Sequence, residues 1–408
     1  MNRDELQEEA GNKWLTSSQK ATLILGTGFG KSKVCIDILT KLNLGKEAKI
    51  LLLVDNSVLR DDNWKEEFLK WDKESIWNQV NAQCYQTAYK WKDTEWDLVI
   101  ADEIDFAMTE SYSQFFSNNK CKRILGLSGT MTADKEMMYL DAIAPIIHTY
   151  TTNQAQADGI LNKTKLVFVE FTLSNAKDRE VKYVKSGKSR SFKQSENEAY
   201  VYLNEQIAKS LTKAKIAERD NDFGLNQDAV DKAWKTYNMF VRKRKELLHS
   251  LASSARTAKK LREMIHSANP DNKILGFSYL TEQVEQFCEH TYTGKNKKNN
   301  TGLKDISDSK IHHLGLCKAI DRGANLVGVN NIIMESYIGS DTQFQQRNGR
   351  GCRLNPDQTM HLYILLPYYL SPVNDGTGAY EKLPTQAHSW ANSMLEGFKC
   401  DDRVTIRL

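Results

Sequence analysis

The segment Ala21 to Lys33, with the sequence ATLILGTGFGKSK, places a short apolar run directly before a glycine-rich turn and a helix-compatible stretch. Backbone N–H groups in such a turn can approach phosphate oxygens, and the N-terminus of the following helix adds partial positive charge. A buried strand, a phosphate loop and a helix in this order are typical of a doubly wound α/β domain.

Within this loop, four residues are predicted to line a bound nucleotide: Thr27, Gly28, Phe29 and Gly30. Lys31 is placed to reach the β and γ phosphates of ATP, and Ser32 to ligate Mg²⁺. Leu25 stands where the general pattern has its first glycine, so the prediction depends on the GxGKS part. The alternative interpretation is a glycine-rich turn without a ligand.

An acidic segment follows about 70 residues later, where the apolar run DLVIA ends in Asp102, Glu103, Ile104 and Asp105. Mg²⁺ prefers oxygen ligands, and Asp102 at the end of a strand can hold it opposite the phosphate loop. Glu103 is then the predicted base that orients the attacking water. Taken alone, the Asp-Glu pair is also compatible with a helix N-cap.

A third segment, RILGL, leads into Ser128, Gly129 and Thr130. Small hydroxyl side chains at this position could hydrogen-bond the acidic pair and respond to the nucleotide state. A simple turn is the alternative.

The sequence QRNGRGCR, residues 346–353, carries three arginines within eight positions. Arg350 and Arg353 are predicted to act in catalysis, because arginines that face the γ-phosphate stabilise the charge that develops during phosphoryl transfer. An exposed or nucleic-acid-binding arginine cluster is the alternative.

Along the chain, short apolar runs alternate with helix-compatible stretches, first up to about residue 165 and again after Pro270. The predicted strands are 21–25, 49–54, 97–101, 123–127, 273–278, 331–334 and 361–366. Between the two α/β parts, apolar residues recur at helical spacing over 200–214 and 230–255, which predicts two long helices. We therefore expect two tandem α/β domains, 1–165 and 166–408, the second with a helical insertion at about 195–267.

Charge is distributed unevenly. Residues 177–262 contain 21 Lys and Arg against 11 Asp and Glu, an excess of ten positive charges. Because the whole chain carries +4, the remainder carries −6. This basic region is either a footprint for phosphates or a solvated helical face. The seven cysteines are scattered and form no CxxC pair, which indicates a reducing, cytoplasmic setting.

Taken together, these motifs resemble those of superfamily 2 helicases over nearly the full chain. GTGFGKS is similar to motif I, DEID to motif II, SGT to motif III and QRNGRGCR to motif VI. The segments 50–71, 81–89, 273–278 and 321–326 resemble motifs Ia, Ib, IV and V. The similarity is greatest to phage recombination and restriction-type members.

The resemblance implies two RecA-like lobes that hydrolyse ATP with Mg²⁺ and step along DNA, single-stranded or branched. It further assigns Asn56, Ser57 and Thr87 to the DNA backbone, Gly323 and Asn325 to the link between nucleotide and strand, and Gln7 to adenine recognition. A catalytic role for Gln346 is implied only by the same resemblance. A monomer is expected, with a role in phage replication or recombination. An ATP-gated clamp, an RNA helicase and the motor of a nuclease system remain alternatives.

Overall fold

The protein was analysed as a computed structural model. It describes residues 2–26, 28–57, 59–129, 134–185, 188–221, 226–296, 301–317, 326, 328–336, 358–373, 378–395, 400 and 402–408.

The first half of the chain forms a parallel six-stranded sheet. Its strands are β1 (Lys20–Leu25), β2 (Ile50–Val54), β3 (Val80–Cys84), β5 (Leu98–Asp102), β7 (Ile124–Ser128) and β8 (Ile146–Tyr150). Their order is β3-β2-β5-β7-β1-β8, and a separate short pair joins β4 (Glu95–Trp96) to β6 (Lys120–Cys121). The central strands are buried along their whole length, which explains why they are continuous apolar runs in the sequence.

Helices cover both faces of this sheet. They are α1 (Arg3–Leu15), α2 (Lys31–Leu42), α3 (Trp64–Lys70), α4 (Glu74–Trp77), α5 (Tyr85–Ala88), α6 (Ile104–Ala107), α7 (Gln114–Asn118), α8 (Asp134–Ile143) and α9 (Thr152–Ala157), with a π-helical turn at Leu59–Asn63. Trp14 fixes α1 to the sheet, because its buried indole N–H donates to the carbonyls of Ala21, at 3.2 Å, and Ile124, at 3.1 Å.

The second half forms another mostly parallel sheet. Its strands are β9 (Thr164–Thr172), β12 (Lys273–Ser278), β13 (Thr291–Thr293), β14 (His313–Cys317), β15 (Val329–Met334), β16 (Met360–Pro372), β17 (Tyr380–Pro384) and β18 (Asp402–Arg407). The order is β13-β14-β12-β15-β16-β9-β18, and β17 pairs antiparallel with β16. Its small helices are α13 (Thr281–Phe287), α14 (Gly302–Ser307) and a last helix, Gln386–Met394.

Between β9 and β12 the chain leaves this sheet. It forms an antiparallel hairpin of β10 (Arg179–Lys185) and β11 (Lys188–Gln194), followed by α10 (Glu196–Arg219), α11 (Gln227–His249) and α12 (Ala252–Ala268). Helices α10 and α11 share a small hydrophobic cluster that includes Tyr200, Leu203 and Leu247. Within the described residues, no helix is both long enough and apolar enough to cross a bilayer.

The predicted α/β fold with a helical insertion is confirmed, but the predicted single helix over 230–255 is wrong. The chain breaks at Ser250 and Leu251, and α12 packs on the second sheet through Ala258, Leu261 and Ile265. A carboxylate distant in sequence explains the break: Glu196 accepts from the Ser253 backbone N–H at 3.0 Å and from the Ser253 hydroxyl. This tertiary cap satisfies a helix N-terminus that lacks a local side-chain cap.

Candidate active site

The glycine-rich loop connects β1 to α2 at the carboxyl edge of the first sheet. The Gly26 N–H donates to the Tyr150 carbonyl at 2.7 Å. Gly28 and Gly30 have φ values of 91° and 101°, the left-handed region that favours glycine. A Cβ on Gly30 would also lie 2.5 Å from an Arg3 guanidinium nitrogen. The backbone therefore turns sharply into α2, as predicted for a phosphate loop; Thr27 lies outside the described residues.

Helix α1 holds this loop from the other side. The Phe29 carbonyl accepts from the Gln7 amide at 2.6 Å and from Arg3 Nε at 3.1 Å. The Phe29 ring is buried, with its centroid 4.8 Å from that of Tyr150. Gln7, predicted to recognise adenine, thus supports the loop in this structure. Sequence reasoning missed Arg3, although Arg3 and Gln7 are four residues apart on one helix face.

Lys31 and Glu103 form an ion pair between the loop and the acidic segment. The Lys31 Nζ lies 2.5 Å from Glu103 Oε1, and both side chains are less than one-fifth exposed. Burial lowers the pKa of the Lys31 ammonium, but Glu103 and Asp102 more than offset this, so that its pKa is raised. Glu103 itself has a left-handed backbone, with φ of 49°. The two motifs therefore meet at one sheet edge.

Asp102 is held by two aromatic side chains. The Trp64 indole N–H donates to Asp102 Oδ2 at 2.9 Å, and the Tyr85 hydroxyl donates to the Asp102 backbone carbonyl at 3.0 Å. Burial and the neighbouring Glu103 raise the pKa of the Asp102 carboxyl to about 6. The sequence did not identify Trp64 or Tyr85, because each is distant from Asp102 in the sequence and only the folded structure brings them together.

The end of β7 contacts the acidic segment at Glu103 and Asp105, and the predicted hydrogen bond from Ser128 to the acidic pair is found at Glu103. The Ser128 hydroxyl donates to Asp105 Oδ1 at 2.9 Å and contacts Glu103 Oε2 at 3.5 Å. The Gly129 N–H donates to the same Glu103 oxygen at 3.3 Å. Thr130 lies outside the described residues. Glu103 is therefore held by the phosphate loop on one side and by β7 on the other.

The oxygen donors at this edge suit Mg²⁺. Ser32 follows Lys31 directly, and its hydroxyl donates to Glu67 Oε2 at 3.4 Å. Asp102 offers a carboxylate close enough to raise the pKa of Lys31. No group of three or more His, Cys, Asp or Glu that could hold a metal occurs in the described part of the chain. One hydroxyl and one carboxylate still fit an ion that also takes phosphate and water oxygens.

The residues predicted to contact DNA follow β2 and β3 at the same edge. Ser57 and Thr87 are exposed, and Asn56 is half-buried. The Asn56 side-chain oxygen accepts from the Leu59 N–H at 3.1 Å. The two segments are linked, because the Gln86 amide donates to the Asp55 carbonyl at 2.9 Å. Their role in DNA binding stays a prediction.

The other predicted site residues, Gly323, Asn325, Gln346, Arg350 and Arg353, lie outside the described residues. Their roles also stay predictions.

Comparison with known proteins supports the assignment of the first lobe. Residues 1–133 match the family model of the type III restriction enzyme res subunit. This range includes the phosphate loop and the acidic segment. No curated protein sequence matches the chain.

The fold is similar to that of a solved helicase domain and of part of a solved restriction-modification enzyme. A helicase domain of Hef from Pyrococcus furiosus is 13% identical, with a TM-score of 0.51 over 96% of this chain and 99% of that one. The ATP-dependent Type ISP restriction-modification enzyme LlaBIII, solved bound to DNA, is 12% identical, with a TM-score of 0.54; the match covers 100% of this chain and 31% of that one. The predicted resemblance to restriction-type proteins is thereby supported for residues 1–133, and the predicted α/β fold is confirmed by the solved structures.

Proposed function

We propose that this chain is an ATP-dependent DNA helicase or translocase that couples ATP hydrolysis to movement along DNA strands or to their remodelling. The observation that carries this proposal is the ion pair between Lys31 and Glu103, which lie 72 positions apart. Burying such a pair costs desolvation, so that it is a weak device for stability alone. Its place between a phosphate loop and an acidic strand end favours a role in phosphoryl transfer.

In this proposal Lys31 exchanges Glu103 for the β and γ phosphates of ATP. Mg²⁺ bound with the nucleotide supplies neutralising charge at the phosphates, and Ser32 and Asp102 hold it. Glu103, released by Lys31, orients the attacking water and takes its proton. Trp64 keeps the Asp102 carboxylate aimed at the loop. Gln7 recognises the adenine from the helix that also supports the loop.

The second half of the chain is proposed to complete the site. Gln346, Arg350 and Arg353 stabilise the transferred phosphoryl group, and Gly323 and Asn325 couple it to the strand. A boundary near residue 165 fits the second sheet, whose first strand begins at Thr164.

The proposed partner is single-stranded or branched DNA. Ser57 and Thr87 are exposed after strands β2 and β3 of the sheet that also carries the phosphate loop, so they can contact a backbone without displacing core residues. The DNA in the LlaBIII structure favours DNA over RNA by analogy of fold. We further propose a monomer that acts in the cytoplasm, in phage replication or recombination.

The test is ATP hydrolysis measured side by side with single-stranded DNA, forked DNA and RNA, together with strand displacement from the fork. We expect DNA to stimulate turnover and the fork to be unwound. The same preparation with Lys31→Ala measures contaminating hydrolysis. Stimulation without displacement or translocation would favour a clamp, and preference for RNA would reassign the substrate. If none of the three nucleic acids stimulates ATP hydrolysis, the proposal is refuted.

A further inference from the structure

Helix α3 contacts both residues that are proposed to hold Mg²⁺, although it belongs to neither the phosphate loop nor the acidic segment. The indole N–H of Trp64 donates to Asp102 Oδ2 at 2.9 Å, and Glu67 Oε2 accepts from the Ser32 hydroxyl at 3.4 Å. Trp64 and Glu67 lie three positions apart, so they share one face of the helix. This single face therefore reaches the serine and the aspartate together.

The position of α3 is set by buried contacts within the first lobe. Trp64 is buried, and Phe68, one turn further on, is fully buried. The Phe68 ring packs against Trp64 and Trp77, with centroid distances of 6.3 Å and 5.4 Å. The side chains that reach the two candidate metal ligands thus start from a fixed helix.

Trp64 orients the carboxylate of Asp102. Its N–H holds one oxygen of that carboxylate, which restricts rotation and leaves further lone pairs for Mg²⁺ or for a water bound to it. Side chains that ligate metals are commonly oriented by such hydrogen bonds, and the loss of one typically weakens metal affinity by about 10- to 100-fold.

Glu67 gives the Ser32 hydroxyl an acceptor. A hydroxyl that ligates a cation does so through an oxygen lone pair, so its proton must be directed to another group. Glu67 Oε2 can accept this proton in a hydrogen bond, while Oε1 lies 3.6 Å from the exposed Lys70 Nζ. The contact with Ser32 is longer than the usual distance of about 2.5–3.0 Å between oxygens, and a rotation of either side chain can shorten it.

We propose that Trp64 and Glu67 are positioning residues that hold Asp102 and Ser32 in place for Mg²⁺, so that helix α3 sets how tightly the ion binds with the nucleotide. The inference rests on the proposed function, which assigns ATP and Mg²⁺ to this site. Packing of α3 accounts for the buried ring of Trp64. It does not account for a donor and an acceptor that are directed from one helix face at these two side chains.

The test measures Mg²⁺ binding without turnover. The fluorescent nucleotide mant-ADP is added to the full chain without DNA, Mg²⁺ is titrated, and the Mg²⁺ concentration at half-maximal fluorescence change is recorded as the midpoint. We expect Trp64→Phe and Glu67→Ala each to raise this midpoint by about tenfold. In EDTA, the affinity of both variants for mant-ADP should stay within about twofold of wild type, because the two residues act through the metal ligands.

The same helical segment offers matched controls. Trp71→Phe makes the same change at a buried indole N–H that has no hydrogen-bond partner among the described residues, and Glu66→Ala removes an exposed carboxylate next to Glu67. Both should leave the Mg²⁺ midpoint unchanged. Glu67→Gln keeps an acceptor oxygen and should recover most of what Glu67→Ala loses.

Thermal melting shows whether each variant is folded. If Trp64→Phe melts at a lower temperature than wild type, the half-buried Glu67 decides the test, since its replacement leaves no cavity in the core. A wild-type midpoint in Glu67→Ala would then overturn the inference.

Two further results would also overturn it. One is an equal loss of mant-ADP affinity in EDTA, which would indicate general support of the nucleotide pocket. The other is wild-type binding of mant-ADP that does not respond to Mg²⁺. If the midpoints shift as expected but DNA does not stimulate wild-type hydrolysis, the positioning role stands and the proposed function fails. If DNA stimulates hydrolysis while the midpoints stay unchanged, only the positioning role is lost.

Discussion

Two buried carboxylates lie at the carboxyl ends of parallel strands, one in each sheet, and differ in the groups that surround them. Asp102 ends β5 in the first sheet, and Glu335 directly follows β15 in the second. Burial raises the pKa of both, to about 6 for Asp102 and about 7 for Glu335. Asp102, however, receives the Trp64 N–H and lies near Lys31, whereas Glu335 accepts from the hydroxyl of Ser278 at 2.7 Å.

Burial raises the pKa of both acids, but only for Asp102 does a nearby cation, Lys31, act in the opposite direction. Among the described residues, Glu335 Oε1 has no hydrogen-bond partner, and the side chain is only 2% exposed. A buried acid without a cation favours the neutral form. An acid beside a lysine in a loop that can bind phosphate keeps a negative charge that the chemistry can use. Burial alone therefore does not identify a catalytic carboxylate.

The largest expected effect is at Lys31, the cation that pairs with Glu103. Lys31→Ala should abolish ATP turnover, a loss on the order of 10³ or more, because the phosphates lose their charged partner. DNA binding should be largely kept. The control is Lys33→Ala, which removes a neighbouring lysine that pairs with Asp37. Steady-state hydrolysis close to wild type in Lys31→Ala would exclude the lysine from the mechanism.

The next largest effect is expected at Arg350, which we propose as the cation that the second half supplies to the phosphates. Arg350→Ala should leave ATP binding intact and slow hydrolysis by about 10³-fold, as for arginines that stabilise the phosphoryl group. The control is Arg403→Ala, on the exposed edge strand β18. Nucleotide affinity and turnover are measured separately. A raised KM with unchanged kcat would contradict the catalytic role.

The dependence of stability on pH tests the raised pKa of Glu335. Because the folded protein raises the pKa of Glu335 from 4.5 to about 7, the wild type loses stability as pH rises through this range. Glu335→Gln should therefore stabilise the second sheet at pH 8, by up to about 3 kcal/mol, with little effect at pH 4.5. Thermal melting at the two pH values measures this.

A second buried glutamate gives the opposite expectation. Glu196 accepts hydrogen bonds from the N–H groups of Ser253 and Ser174, both at 3.0 Å. Glu196→Gln should destabilise the protein at pH 8, by about 1–3 kcal/mol, because it weakens the hydrogen bonds that the carboxylate accepts. A Glu335→Gln variant that melts lower than wild type at pH 8 would contradict the raised pKa of Glu335.

The smallest effect is expected at Ser128, which donates to Asp105, and at Ser336, which lies beside Glu335. Ser128→Ala removes a 2.9 Å hydrogen bond to Asp105 and should slow hydrolysis by about tenfold or less. Strand displacement per ATP should fall further if this contact couples the two activities. Ser336→Ala, which loses an acceptor for the Tyr279 N–H, should leave that ratio unchanged. The ratio of displaced strand to phosphate released decides the matter; equal ratios for both variants would remove Ser128 from coupling.

Much of this arrangement could be predicted from local sequence. The run from Ala21 to Leu25 and the one from Lys273 to Ser278 are continuous and apolar because both faces of their strands are buried, and each strand was predicted to within a residue. The glycines of the phosphate loop predicted the sharp turn that Gly28 and Gly30 make with positive φ angles. Ser128 could be assigned to the acidic pair because neighbouring parallel strands end at the same edge.

The rest depends on contacts between distant residues. Trp64 reaches Asp102 across 38 positions, and no periodicity in either segment indicates that pairing. The edge strand β18 was missed because it alternates between half-buried and exposed residues and lacks an apolar run. Likewise, the apolar spacing continues through Leu248 and Leu251 while the helix ends, because the Glu196 carboxylate decides the break.

The double hydrogen bond that Arg3 and Gln7 make to the Phe29 carbonyl has a practical consequence. The first helix and the glycine-rich turn are joined directly, so that a purification tag or a fusion partner placed ahead of Arg3 adjoins the helix that holds the turn. Preparations trimmed inside this helix should bind nucleotide less tightly without any change in the turn's own residues. Enzymologists comparing batches should therefore place tags at the other end.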